Sequence, residues 1–224
     1  MSLRFGTFYE GGRYHVYNRS VEGIEIFRDW RDLERFCDLL ELVTTEERIV
    51  SVQATKKGDT EGKLEQVKKA QKLVTIEAFA VLPNHYHLLL KQEVDNGVAR
   101  FMQKLGAGYS LYFNKRYTRS GTLWMGPYKY TEIENESDYL RIGSYVSRNH
   151  EIHRFVDTVS PRRTNSSYTA MTGNIQYPFC EHQYLLDSFG GVDAYQNVSK
   201  RIIEEILRMR GKSINEEYDL FLED

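Results

Sequence analysis

The sequence predicts an α+β fold: a central antiparallel β-sheet with helices packed against it, followed by a mainly helical C-terminal extension. Three observations point there. Two β-rich runs, residues 74–82 and 85–91, are separated only by Pro83-Asn84, the pattern of an antiparallel pair joined by a tight turn. Stretches with helical apolar spacing lie on both sides of that pair. Two more helical patterns, around 182–189 and 192–210, follow the less regular region after Pro161. The predicted division is a main domain over 1–160, with a charge-rich insertion at 48–72, and an extension over 161–224.

Taken in order, residues 13–18 are rich in β formers and follow Gly11-Gly12, so they predict the opening strand. Asp29 can cap a helix that carries Leu33, Phe36, Leu39, Leu40 and Val43 at helical spacing. The insertion contains the turn Lys56-Lys57-Gly58-Asp59 and a short, solvated helical stretch over 62–72. After the paired strands, residues 98–117 predict a helix with Phe101, Met102, Leu105, Tyr112 and Phe113 on its apolar side, weakened in the middle by Gly106 and Gly108. Turn signals at Gly121 and Gly126-Pro127 precede a strand-like run over 128–131. A last clear helix of the main domain spans 137–149, with Ser137 as the expected N-cap and Asp138 in its first turn.

The chain has 224 residues, of which 41% are hydrophobic, enough for one substantial core. A net charge of −2 and a pI near 6.3 argue against an overall basic nucleic-acid binder. The charge is sorted, however. No Asp or Glu occurs from Asn96 to Thr131, while Arg100, Lys104, Lys115, Arg116, Arg119 and Lys129 all do, and the last stretch is predominantly acidic. A local positive surface is therefore expected. Two cysteines, Cys37 and Cys180, make no disulfide framework and fit a reducing setting. No apolar run approaches the ~18–20 residues that span a bilayer, and the first residues lack an apolar leader core. A soluble cytoplasmic protein without a membrane partner is the expectation.

His85-Tyr86-His87 is the chemical centre of the sequence. Residues two apart on a strand share a face, so both imidazoles project to one side, about 7 Å apart at the backbone, with Tyr86, Leu88 and Leu90 opposite. Imidazole binds divalent metals well, and a site with open positions can also take phosphate oxygens. An arbitrary His-x-His more often holds no ligand, so the pair needs a third donor and a reacting group. The helix over 137–149 offers a stripe suited to handling phosphate. Tyr145 and Asn149 stand four residues apart on one face, with Arg141 and Arg148 close to it. Arginines match phosphate oxygens with paired donors. Tyr139, the rival tyrosine of that helix, is ten residues from Asn149 and set further round the helix from it than Tyr145.

Tyr14-His15-Val16-Tyr17-Asn18-Arg19, Leu82-Pro83-Asn84-His85-Tyr86-His87-Leu88-Leu89, Asp138-Tyr139, Tyr145 with Asn149, and Ser166-Ser167-Tyr168 together resemble the single-tyrosine HUH transposases. In particular they are similar to the REP-associated tyrosine transposases, relatives of the transposases of small bacterial insertion sequences. The resemblance covers roughly residues 10–200. It implies a ferredoxin-like HUH fold over 1–160, with the histidines on a middle strand. His85, His87 and Asn149 would hold a divalent metal, Mg²⁺ or Mn²⁺, and Tyr145 would be the catalytic nucleophile. The implied reaction cuts single-stranded or hairpin DNA, leaving a 5′-phosphotyrosine and a free 3′-hydroxyl, and then rejoins ends. The sequence departs from the family in the length of the 48–72 insertion and in His150, where related sequences often have proline. A homodimer, repeat palindromes as target DNA, and a domesticated, catalytically silent hairpin binder of the same fold all stay open. So does a relative of replication initiators; a structural zinc protein is the weakest alternative, with two cysteines remote from the histidines.

Arg100, Lys104, Lys115, Arg116, Arg119, Trp124, Lys129, Arg141 and Arg148 are the candidate DNA-contacting residues. The acid-free stretch interleaves its cations with Phe101, Tyr109, Tyr112, Phe113, Tyr117, Trp124, Tyr128 and Tyr130. Cations can track a phosphate backbone while exposed aromatics stack on unpaired bases, although more than half of these rings are expected in the core. Residues 117–124 form the expected recognition loop, and Arg162-Arg163 offer a second contact.

Overall fold

The β-rich runs pair into one sheet in the computed structural model, which describes residues 8–46, 71–153, 165–173 and 175–210. Among the described residues five strands run antiparallel in the order β4-β1-β3-β2-β5: β1 (Arg13–Arg19), β2 (Val74–Leu82), β3 (His85–Gln92), β4 (Lys129–Ile133) and β5 (Asn165–Ser166). The histidine strand β3 is the middle one. Leu82 pairs with His85, so Pro83 and Asn84 alone turn the chain. Proline needs no donor there, and its carbonyl accepts from the backbone N–H groups of Ile26 and Phe27. A bulge at Glu77, where the register shifts between Ile76 and Ala78, drives that carboxylate out of the ladder.

Each sheet face buries its own core. Tyr86, Leu88 and Leu90 of β3 join Tyr14, Val16, Ile76, Phe79 and Val81 against two helices, α1 (Trp30–Leu42) and α2 (Gly97–Arg116). Asp29 caps α1 as expected, its carboxylate accepting from the N–H groups of Arg31 and Asp32. α2 runs unbroken through Gly106 and Gly108. A side chain at Gly108 would sit 3.2 Å from Leu39, and the Gly106 carbonyl accepts from Trp124 Nε1 at 3.2 Å. These glycines serve close packing, which offsets the helix-propensity cost of roughly 1 kcal/mol each.

The opposite face packs Ala78, Leu89 and Ile133 under the tyrosine helix α3 (Glu136–Ser147), followed by α4 (Asn149–Ile152). Here the cap expectation is corrected. Asn135, with extended backbone, accepts from Asp138 N–H, and Ser137 lies inside the first turn, where its helical backbone precludes capping. The expected single helix to residue 149 also breaks at Arg148, whose φ of −110° and ψ of 20° end α3 before Asn149. After β5 come α5 (Ser167–Met171), α6 (Gln183–Phe189) and α7 (Val192–Arg210). α6 and α7 pack on α3, where the hydroxyls of Tyr195 and Ser147 are 2.7 Å apart. Nearly all of the 48–72 insertion, and Arg162-Arg163, lie outside the described residues.

Candidate active site

Strand alternation puts His85 and His87 on the tyrosine-helix face, with 6% and 1% exposure. Their rings are 5.2 Å apart, centre to centre, at 87°. Each ring has its Nδ1 engaged. The Asn84 amide donates through Nδ2 to the Gly23 carbonyl, 3.2 Å, so its Oδ1 accepts from His85 Nδ1 at 2.6 Å. His87 Nδ1 lies 2.9 Å from Nε2 of His15, a fully buried residue of β1. Nε2 is then the remaining nitrogen of both rings, the usual arrangement when a neighbour orients a metal-binding imidazole.

α3 brings Tyr145 onto this pair within the same chain. Its fully buried ring stands edge-on to His87, 5.4 Å at 90°, and to His15, 5.7 Å at 77°. Tyr139 sits elsewhere: its hydroxyl donates to Glu77 Oε2 at 3.0 Å, and the Arg13 guanidinium lies 5.1 Å from its ring centre. One turn beyond Tyr145, Asn149 is fully buried, and neither atom of its amide has a hydrogen-bond partner among the described residues. A buried amide without partners costs several kcal/mol, on the order of 1–3 per group, unless something meets it. An orphaned amide one turn past the tyrosine that touches His87, together with two oriented imidazoles, is a donor set of the kind that suits a divalent cation. Among the described residues no group of three or more His, Cys, Asp and Glu side chains could hold a metal ion.

Register places residues on the histidine face that spacing along the chain could not put there. Cross-strand partners share a face. Arg19 pairs with His85, and Lys129 with Tyr17, which itself pairs with His87. Exposed Arg19 and Lys129 thus belong to the histidine face. His153, four residues past Asn149, places its ring 4.9 Å from that of His85. Its only sequence signal was that helical step.

Residues 42–149, which contain both histidines, Tyr145 and Asn149, match the family described as "Transposase IS200 like". No curated protein matches the chain. A solved structure described as "the REP associates tyrosine transposase bound to a REP hairpin" superposes with a TM-score of 0.48 at 15% identity, covering 81% of this chain and 98% of that one.

The remaining candidate residues divide by what they touch. Arg116 is bound to the carboxylates of Asp29 (2.6 Å) and Asp32 (2.5 Å), which also holds Tyr112 and Tyr117, so its charge ties α2 to the start of α1. Arg100 pairs with Glu46 at 2.6 Å, and Lys104 donates to the Thr45 carbonyl at 2.8 Å. Arg148 is 6% exposed and turned toward α7, pairing with Glu151 and donating to Ser199 Oγ at 3.0 Å over the ring of Tyr168. Arg119 donates to Asn114 and the Thr122 carbonyl. Trp124 packs edge-on to Tyr86, its indole locking the loop to α2. Arg141 makes an exposed pair with Asp138 at 3.3 Å, whereas Lys115 and Lys129 are exposed. Of the interleaved aromatics, Phe101, Tyr109 and Phe113 are fully buried and the rest half-buried.

Proposed function

We propose that the chain is a metal-dependent, transposase-type DNA endonuclease and strand transferase, with Tyr145 as nucleophile and His85, His87 and Asn149 as holders of Mg²⁺ or Mn²⁺. The contact of the Tyr145 ring with His87 inside one chain carries this reading. Tyr145 Oη attacks the scissile phosphorus, the bond from phosphorus to the 3′-oxygen breaks, and that oxygen leaves as a 3′-hydroxyl after taking a proton. A 3′-hydroxyl then attacks the 5′-phosphotyrosine and releases the phenol, so strands are rejoined without ATP. A phenol with pKa near ~10 is a weak nucleophile at neutral pH. When bound, the cation would polarise the phosphate and offset the developing charge. His15 and Asn84 orient the imidazoles, and Arg19 and Lys129 on the same face can receive flanking phosphates. Single-stranded or hairpin DNA is the substrate class implied by the family. A tyrosine seated on its own histidines needs no homodimer to complete the site. No described helix is long and apolar enough to cross a membrane, and a DNA substrate with two free cysteines fits a cytoplasmic setting.

One observation favours the second reading, a silent hairpin-binding protein of the same fold: Tyr145 is fully buried, so a phosphate reaches its hydroxyl only after the helix or its cover moves. The two readings separate when the protein is incubated with 3′-labelled hairpin oligonucleotides in Mn²⁺ or in EDTA. A labelled, SDS-stable protein band in Mn²⁺ alone supports the transferase. Tight binding without any such band in either condition supports the silent binder.

A further inference from the structure

His15 belongs to neither the metal set nor the nucleophile, yet it is fully buried at the centre of the site. Its ring and that of His87 are nearly coplanar, at 16°, with Nε2 and Nδ1 2.9 Å apart and ring centres 5.2 Å apart. The ring centres are separated by little more than the bond plus one ring radius on either side. The two nitrogens therefore point at each other, and the contact is a hydrogen bond rather than a face-to-face stack. Tyr17 lies against both rings at 5.1 Å and 5.5 Å, which restricts their rotation.

Such a bond between neutral imidazoles carries one proton, so the donor ring and the acceptor ring fix each other's tautomers. At His85 the choice is already made. Asn84 spends its N–H on Gly23 and can only accept from His85 Nδ1, which leaves the lone pair of His85 on Nε2. Two rings can share a cation through Nε2 only if His87 has the same tautomer. We propose that His15 is a positioning residue: it accepts the Nδ1 proton of His87 and so keeps the His87 lone pair on Nε2 for the metal. It does for His87 what Asn84 does for His85. This role rests on the metal reading above.

Two measurements test it. In the metal-free wild-type protein, long-range ¹H–¹⁵N correlation assigns the His87 tautomer directly. The expected form carries the proton on Nδ1; a proton on Nε2 overturns the proposal. Mn²⁺ affinity by electron paramagnetic resonance is then compared between wild type, His15→Phe and His15→Gln, with thermal melts to establish folding. His15→Phe is expected to weaken Mn²⁺ binding by roughly 10–100-fold, the usual effect of removing an orienting partner. His15→Gln, whose amide oxygen can accept the same proton, recovers most of it. A folded His15→Phe variant with unchanged affinity overturns the role of His15 and leaves the metal site standing. A wild type that binds no Mn²⁺ overturns the metal reading and this role with it. If His15→Phe does not fold, the wild-type tautomer decides.

Discussion

At the residue scale, burial changes what the charged and polar side chains do. Glu77 is 2% exposed, and burial pushes its carboxyl above the usual carboxylate range against the opposing pull of Arg13 and Tyr139. Its bulge position aims it at the Arg13 guanidinium, 2.9 Å away, which also lies 4.4 Å from the centre of the Tyr184 ring. Removing one partner of such a pair leaves the other buried and uncompensated. Arg13→Ala should therefore cost about 2–4 kcal/mol in a denaturant titration, below the fully buried limit because Arg13 is partly solvated. The sequence made legible His-x-His on a strand and Tyr145 on a helix, whereas Asn149, expected on that same helix, follows its break at Arg148. His15, Arg19 and Asn84 were quoted only as motif letters. Their placement depends on which strands pair and in what register, and no spacing along the chain encodes that. Several of the candidate DNA-contacting cations were read from local charge alone. Arg116 and Arg148 show why that is insufficient, since the carboxylates that hold Arg116 come from another element.

At the scale of elements, long periodic segments were the most legible. The helix expected over 192–210 is Val192–Arg210, and the Pro83-Asn84 turn separates the strands as expected. The two-residue strand β5 carries no periodic signal, because nothing so short can. Caps were mixed: Asp29 holds α1, while Asn135 rather than Ser137 holds α3, since two cap-forming residues two positions apart could each start that helix. Close approach sets what these elements tolerate. A Cβ at Gly143 of α3 would meet Leu185 Cδ1 at 2.7 Å, whereas one at Gly97 would meet the backbone oxygen of Leu73 at 2.1 Å. Gly143→Ala should cost about 1–3 kcal/mol, because a side chain can yield, and Gly97→Ala more, because backbone cannot. Thermal melts of the two variants give the ranking. The sheet also makes a prediction about DNA. If Arg19 and Lys129 receive phosphates beside the histidines, each alanine variant should weaken binding similarly across sequences and lower the salt slope of log K by about 1. An unchanged slope would remove that residue from the interface.

At the scale of the molecule, the C-terminal helices are joined to the candidate site through one seam. Tyr195, fully buried on α7, meets Ser147 at the end of α3, and Ser199 meets Arg148 just before Asn149. Tyr195→Ala should therefore cost about 3–5 kcal/mol, as large aromatic truncations do. Tyr195→Phe, which loses only the hydroxyl bond, should cost about 1 kcal/mol. Adduct formation should fall further in the alanine variant than in the phenylalanine variant at equal folded concentration, because α7 braces the segment that carries Tyr145 and Asn149. The charge sorting seen in the sequence reappears in three dimensions only in part: Arg100, Lys104, Arg116 and Arg119 are held by carboxylates, carbonyls or an amide of the chain itself, and exposed Lys129 shares the histidine face. The identity of the nucleophile is the claim on which everything else depends, and the two tyrosines of α3 provide the comparison. With a labelled DNA hairpin in Mn²⁺, wild type and Tyr139→Phe are predicted to form a covalent protein–DNA adduct, and Tyr145→Phe to form none; an intact adduct in folded Tyr145→Phe would contradict it.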